Sequence, residues 1–207
     1  MKYLMILSVL IFAGSAFATD YLIEDGDDFA NLGLVDYDTL LMTGGTGHDL
    51  SLGGWSTGII ENTDPLNIAQ GDGGIWELDT YSYSELTING GEFYELGAHG
   101  ESIINLSGGR IDHIYSYQTA WEWDYGVDPP EWVPNPHITI IYSGDLPTVD
   151  VSNVLTGLWG NSSAFSIELH DVSGYSPVIE NIQFELIPEP ATLLLLGLGA
   201  VMVRRKQ

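Results

Sequence analysis

Two stretches of the chain superpose with an offset of 18 residues: "LTINGGEFYEL" (Leu86 to Leu96) and "INLSGGRIDHI" (Ile104 to Ile114). A repeat this short limits the fold more than any other feature of the sequence. One copy cannot bury its own apolar side chains, so copies must stack and bury them jointly. Stepping by 18 from Gly90 and Gly108 extends the pattern in both directions. Four residues before the glycine position stand Leu32, Leu50, Ile68, Leu86 and Ile104; two before it stand Leu34, Leu52, Gln70, Ile88 and Leu106, apolar but for Gln70. Six after it stand Met42, Ile60, Leu78, Leu96 and Ile114, and three after it Ile75, Phe93, Ile111 and Phe165.

Each copy reads as a short strand with alternating apolar residues, such as Leu86 and Ile88, then a Gly-Gly corner where positive φ carries no steric cost. A second strand follows, carrying Phe93 and Leu96. Stacked at ~4.8 Å, such coils turn every apolar position into a continuous ladder. Between the two termini almost no 3.6-residue periodicity appears. The reading is an all-β, single-domain parallel β-helix with coils of about 18 residues, right-handed or irregular, because apolar residues six apart do not dominate. A β-sandwich of short strands and an inserted rung of antiparallel strands are the alternatives.

The ladder is interrupted at "TAWEWDYGVDPPEWVPNPH" (residues 119–137), where prolines and polar residues occupy the apolar positions. A strand there would lack several donors, so a protruding loop is expected. Beyond it, "FSIEL" and "VIENIQFEL" are strand-like and suited to closing the C-terminal end, where an unpaired edge would otherwise be exposed.

The two ends differ from the body. Lys2, the apolar stretch Leu4 to Phe12 and "AGSAFA" follow the order of a secretory signal peptide over residues 1–18, with cleavage expected after Ala18. The body is then residues 19–187, and residues 188–207 form a tail. The tail's apolar run, Ala191 to Val203, is 13 residues long and holds Gly197 and Gly199. That falls short of the ~20 residues of a stable spanning helix. Arg204, Arg205 and Lys206 would keep its far end in the cytoplasm, giving a transient membrane anchor. Pro188 and Pro190 would present an extended segment just above the membrane.

"IPEP", the apolar run and the basic end together resemble the PEP-CTERM sorting signal of exported Gram-negative bacterial proteins. The resemblance covers residues 187 to 207, with Ile187 where that family usually has Val. It implies that Pro188, Glu189 and Pro190 are recognised by a membrane-embedded exosortase. It also implies that the tail is removed and the body passed to the cell surface, often where exopolysaccharide is made.

Charge narrows the partners. Of the 29 acidic residues only Glu189 lies beyond the body, and of the five basic ones only Arg110 lies within it. The body thus holds 28 acids against one base, a formal charge of −27. Such a surface cannot neutralise phosphates, so no nucleic-acid partner is expected. There is no cysteine, which excludes disulfides, thiol nucleophiles and Cys-ligated zinc.

Candidate chemistry is sparse. "GGTGHD" (Gly44 to Asp49) opens like a calcium β-roll repeat, but no second copy stacks on it, and a glycine corner is the expected role. "EDGDD" lacks EF-hand spacing. His48, His99, His113, His137 and His170 share neither an 18-residue column nor HExxH spacing, so their spacing supports no metal site, and no cofactor is expected. Arg110, in a repeat corner, is expected to pair with a neighbouring acid rather than act as a lyase base. Trp121, Trp123, Tyr125 and Trp132, beside carboxylates, are the candidate glycan-stacking residues; the alternative, favoured because exposed aromatic patches are costly unless used, is that they fold back to cover the side of the solenoid. The expected role is a non-catalytic structural or glycan-contacting component, with a polysaccharide-active glycosidase or lyase on the same scaffold as the alternative.

Overall fold

The computed structural model describes residues 18–68, 73–117, 137–173 and 175–187. The expected signal peptide, the tail, and most of the 119–137 segment with its four aromatics lie outside them. The described residues are all-β and form two sheets, with one short 3-10 helix at Val178–Asn181.

Up to residue 117 successive strands alternate between the sheets. Sheet A receives β1 (Asp20–Ile23), β3 (Thr39–Met42), β5 (Thr57–Ile60), β7 (Glu85–Ile88) and β9 (Ile103–Leu106). Sheet B receives β2 (Asp28–Leu34), β4 (Thr46–Leu52), β6 (Ile75–Thr80), β8 (Glu92–His99) and β10 (Arg110–Tyr117). Every neighbouring pair among these ten is parallel. Sheet A then gains β11 (His137–Tyr142) and, after the helix, β15 (Ile182–Leu186), both parallel. Sheet B ends differently: β14 (Ala164–His170) joins β10 in parallel, and β13 (Val154–Leu158) and β12 (Thr148–Val149) follow antiparallel. Among the described residues antiparallel pairing between strands is confined to this end of sheet B, at its edge and not in an inserted rung.

The register gives the period. Asp28 pairs with Thr46, Thr39 with Thr57, Glu85 with Ile103 and Phe93 with Ile111, each a step of 18. The step does not run unbroken through the chain. Thr57 pairs with Glu85 and Gly47 with Ile75, both steps of 28. Ten additional residues sit between β5 and β6, so Leu50 stacks on Leu78, and Ile68 is 42% exposed rather than in the ladder. The 18-residue series passed through this insertion because the corners after Leu52 and after Ile88 both read as an apolar pair leading to Gly-Gly. One follows sheet B and the other sheet A. Likewise Ile103 pairs with His137, a step of 34, across the segment expected to be inserted.

The core is the space between the sheets. Leu40, Leu86, Ile104 and Ile138 form one inward column of sheet A, and Met42, Ile60, Ile88, Leu106 and Ile140 the next; all are buried. From sheet B, Leu50, Leu78, Leu96 and Ile114 face them at zero or near-zero exposure. The glycine reading of "GGTG" holds: Gly45 has φ +84 at a corner packed against the backbone of Glu24 and Asp27. Trp159, buried at the C-terminal end, donates from Nε1 to the Gly109 carbonyl at 2.9 Å and stacks on Phe165. That contact ties the β13–β14 hairpin to the corner before β10. Among the described residues no helix is long and apolar enough to cross a membrane.

Candidate functional site

The outward face of sheet B concentrates the chemistry. In each strand two consecutive residues turn outward: His48 and Asp49, Trp76 and Glu77, Tyr94 and Glu95, Asp112 and His113. They lie between a buried or core-facing residue on one side (Gly47, Ile75, Phe93, Ile111) and a buried leucine or isoleucine on the other. The parallel pairing skips the first of the two in each of these strand pairs. The strands therefore bend there, and the outer face carries two adjacent columns where a regular strand would show one.

The first column stacks rings: His48 over Trp76 at 6.3 Å and Trp76 over Tyr94 at 4.9 Å. Tyr94 then meets His113 edge-on at 4.9 Å, and His113 lies 4.5 Å from His170. The second column is acidic, running Asp49, Glu77, Glu95, His113, Glu168 in register. One position further along, Asp79 aligns with Gly97 and Tyr115 with His170. Rings and carboxylates thus lie side by side across five strands.

Within the acidic column the carboxyls are not equivalent. Burial pushes the Glu77 carboxyl above its ordinary range, and the charge of Asp79 adds to the effect. Burial and Asp79 raise Glu95 in the same way. Burial also opposes ionisation of Asp79, but His99 and Tyr81 outweigh it and hold that carboxyl low. His99 Nε2 lies 3.1 Å from Asp79 Oδ1, and the Tyr81 hydroxyl donates to Oδ2 at 2.9 Å. Gly97 makes the room: a Cβ there would collide with Asp79 Oδ1 and His99 Nε2. Arg110 does pair with acids, at 3.0 Å from Asp112 and 3.4 Å from Glu92.

Among the described residues one group brings metal-ligating atoms together: His113, Glu168 and His170, whose ligand atoms lie within 4.8 Å of one another. Sequence spacing separated these residues, and the pairing of β10 with β14, a step of 55 from His113 to Glu168, unites them. The columns Trp76–Tyr94–Asp112 and Glu77–Glu95–His113 do step by 18, so the period held a signal for this face. His137, at the start of β11, belongs to the other sheet. The proposed glycan aromatics Trp121, Trp123, Tyr125 and Trp132 and the sorting residues Pro188, Glu189, Pro190, Arg204, Arg205 and Lys206 lie outside the described residues.

No curated protein and no solved structure matches the chain. Residues 186–206 do match a known family, the PEP-CTERM protein-sorting motif. The chain thus carries, in that stretch, the sorting motif of exported proteins that an exosortase processes and directs to the cell envelope.

Proposed function

We propose that the body is a parallel β-helix delivered to the cell surface or extracellular matrix, where the outer face of sheet B contacts exopolysaccharide without catalysis. The observation that carries this reading is the sorting motif at residues 186–206. Alternation of parallel strands between two sheets, at steps of 18 interrupted by insertions, supports the coil. The ring column beside the acidic column supports the glycan contact. Flat rings stack on sugar faces while carboxylates accept hydroxyl hydrogen bonds.

Two measurements test it. Alanines at Pro188, Glu189 and Pro190 should leave an unprocessed, membrane-associated precursor; normal processing would refute the sorting role. Trp76→Ala with Tyr94→Ala should reduce retention on the producer's own exopolysaccharide, while the same change at exposed Tyr37 should not.

A second reading, a glycosidase on the same face, is favoured by one observation. Carboxyls pushed apart in protonation, Glu77 and Glu95 up and Asp79 down, are the arrangement that general acid–base cleavage uses. Release of new reducing ends from the polysaccharide, lost in Glu95→Gln, would select this reading. Retention without release selects the first.

A further inference from the structure

We infer that His113, His170 and Glu168 form a binding site for one divalent transition-metal ion of the zinc class, at the C-terminal end of the ring and acid columns. The site is independent of whether the face binds glycan. Its construction follows from the strand pairing. His113 and Glu168 are direct Cα partners across β10 and β14, and His170 follows Glu168 by two residues, on the same face of its strand. Two imidazoles and one carboxylate are thereby fixed by regular backbone rather than by a loop.

The distances suit a small ion. His113 Nδ1 lies 3.5 Å from Glu168 Oε2, and His170 Nε2 lies 3.1 Å from Glu168 Oε1. Bonds of about 2.0–2.1 Å at tetrahedral angles place two ligand atoms roughly 3.3 Å apart. The two separations, to different oxygens of the one carboxylate, fall on either side of that value, and ligand atoms taken one per residue lie within 4.8 Å of one another. Neither nitrogen makes a hydrogen bond of acceptable geometry, although both atoms are buried. Buried polar atoms left so cost free energy unless something binds them, and a cation would satisfy both at once.

The surroundings can orient the His170 ring toward a ligand. The Tyr115 hydroxyl lies 2.6 Å from His170 Nδ1. With the Nδ1 proton donated to that oxygen, Nε2 carries the free pair and the ring is held in orientation, as outer partners of metal-ligating histidines do. Glu95, the register neighbour of His113 on β8, adds negative charge beside the site. Nitrogen donors select zinc, nickel or copper over calcium and magnesium, which take oxygen. The Glu168 side chain is 52% exposed, so the fourth position opens to solvent and can accept water or a hydroxyl group.

The competing arrangement is a carboxylate bridging two protonated rings, which needs no metal. Calorimetry with zinc chloride on the full-length chain, stripped by chelator, separates the two. One equivalent should bind, and His113→Asn or His170→Gln should abolish it. Tyr115→Phe should weaken it about 10–100-fold, and His48→Gln, at an exposed histidine outside the group, should leave it unchanged. Cobalt chloride on the unmodified chain should give the visible bands of a four-coordinate site, a readout that needs no variant to fold. Absence of those bands, displacement by excess calcium, or zinc binding that survives in the double histidine variant would each overturn the proposal.

Discussion

Adjacent residues on β9 offer a sharp test of how the chain is held together. Ile104 has no exposed surface and stacks between Leu86 and Ile138, both fully buried, whereas Ile103 is 36% exposed on the opposite face. Ile104→Ala removes three carbons, about 2.4 kcal/mol of transfer free energy at ~0.8 kcal/mol per methylene. A cavity term comes on top, and the total should fall within the ~2–5 kcal/mol range of such truncations. The cavity term should be substantial, because little nearby is free to relax into the space. Gly58, higher in the same column, shows what relaxation requires. There Leu52 and Leu86 already reach within 2.9 and 3.0 Å of where a Cβ would stand. Around Ile104 the flanking columns are filled by Ile88, Leu106 and Ile140, each with zero exposure. Urea titration followed by far-UV circular dichroism should show a lowered midpoint with an unchanged slope. The melting temperature should fall by on the order of 10 °C for a loss near 3 kcal/mol in a chain this size. Ile103→Ala should stay within about 0.5 kcal/mol of the parent. If the two variants lose the same stability, the inward assignment of β9 and the column argument with it are wrong.

Glu77→Gln and Glu95→Gln should each stabilise the protein at neutral pH. Their carboxyls sit above the ordinary range when folded, so the folded state holds protons more tightly than the unfolded chain. Stability is then present at low pH and falls as pH rises from the unfolded glutamate value of about 4.3 through the folded one. Midpoints of the glutamine variants measured from pH 4 to 7 should lack that fall, and a parallel fall would contradict the assigned direction. Raising ionic strength from 0.01 to 0.1 M shortens the screening length from about 30 to about 10 Å. With 28 acids against one base in the body, the melting temperature should rise with salt; a flat response in differential scanning calorimetry would show the acids too far apart to matter.

What the sequence revealed depended on where the 18-residue step survived. Leu86, Ile88, Ile104 and Leu106 are legible as stacked pairs because β7 and β9 pair at an uninterrupted step of 18. Ile68 was misplaced because ten inserted residues shift the register by an amount no periodicity anticipates. The same rule governs the candidate site. Glu77, Glu95 and His113 stand at a constant step and were open to the repeat analysis. Hydrophobic periodicity does not mark them, because this column is polar and outward. His113 and Glu168 are a different matter: residues 118–136, β11 and the two strands β12 and β13 intervene before β14 docks on β10. Docking there rests on Phe165, Ile167 and Leu169 alternating inward to extend the columns of sheet B. Their outward neighbours, Glu168 and His170, are carried to His113 as a consequence. The polar convergence on the surface is thus set by apolar residues beneath it, which is why spacing among the histidines alone held no trace of it.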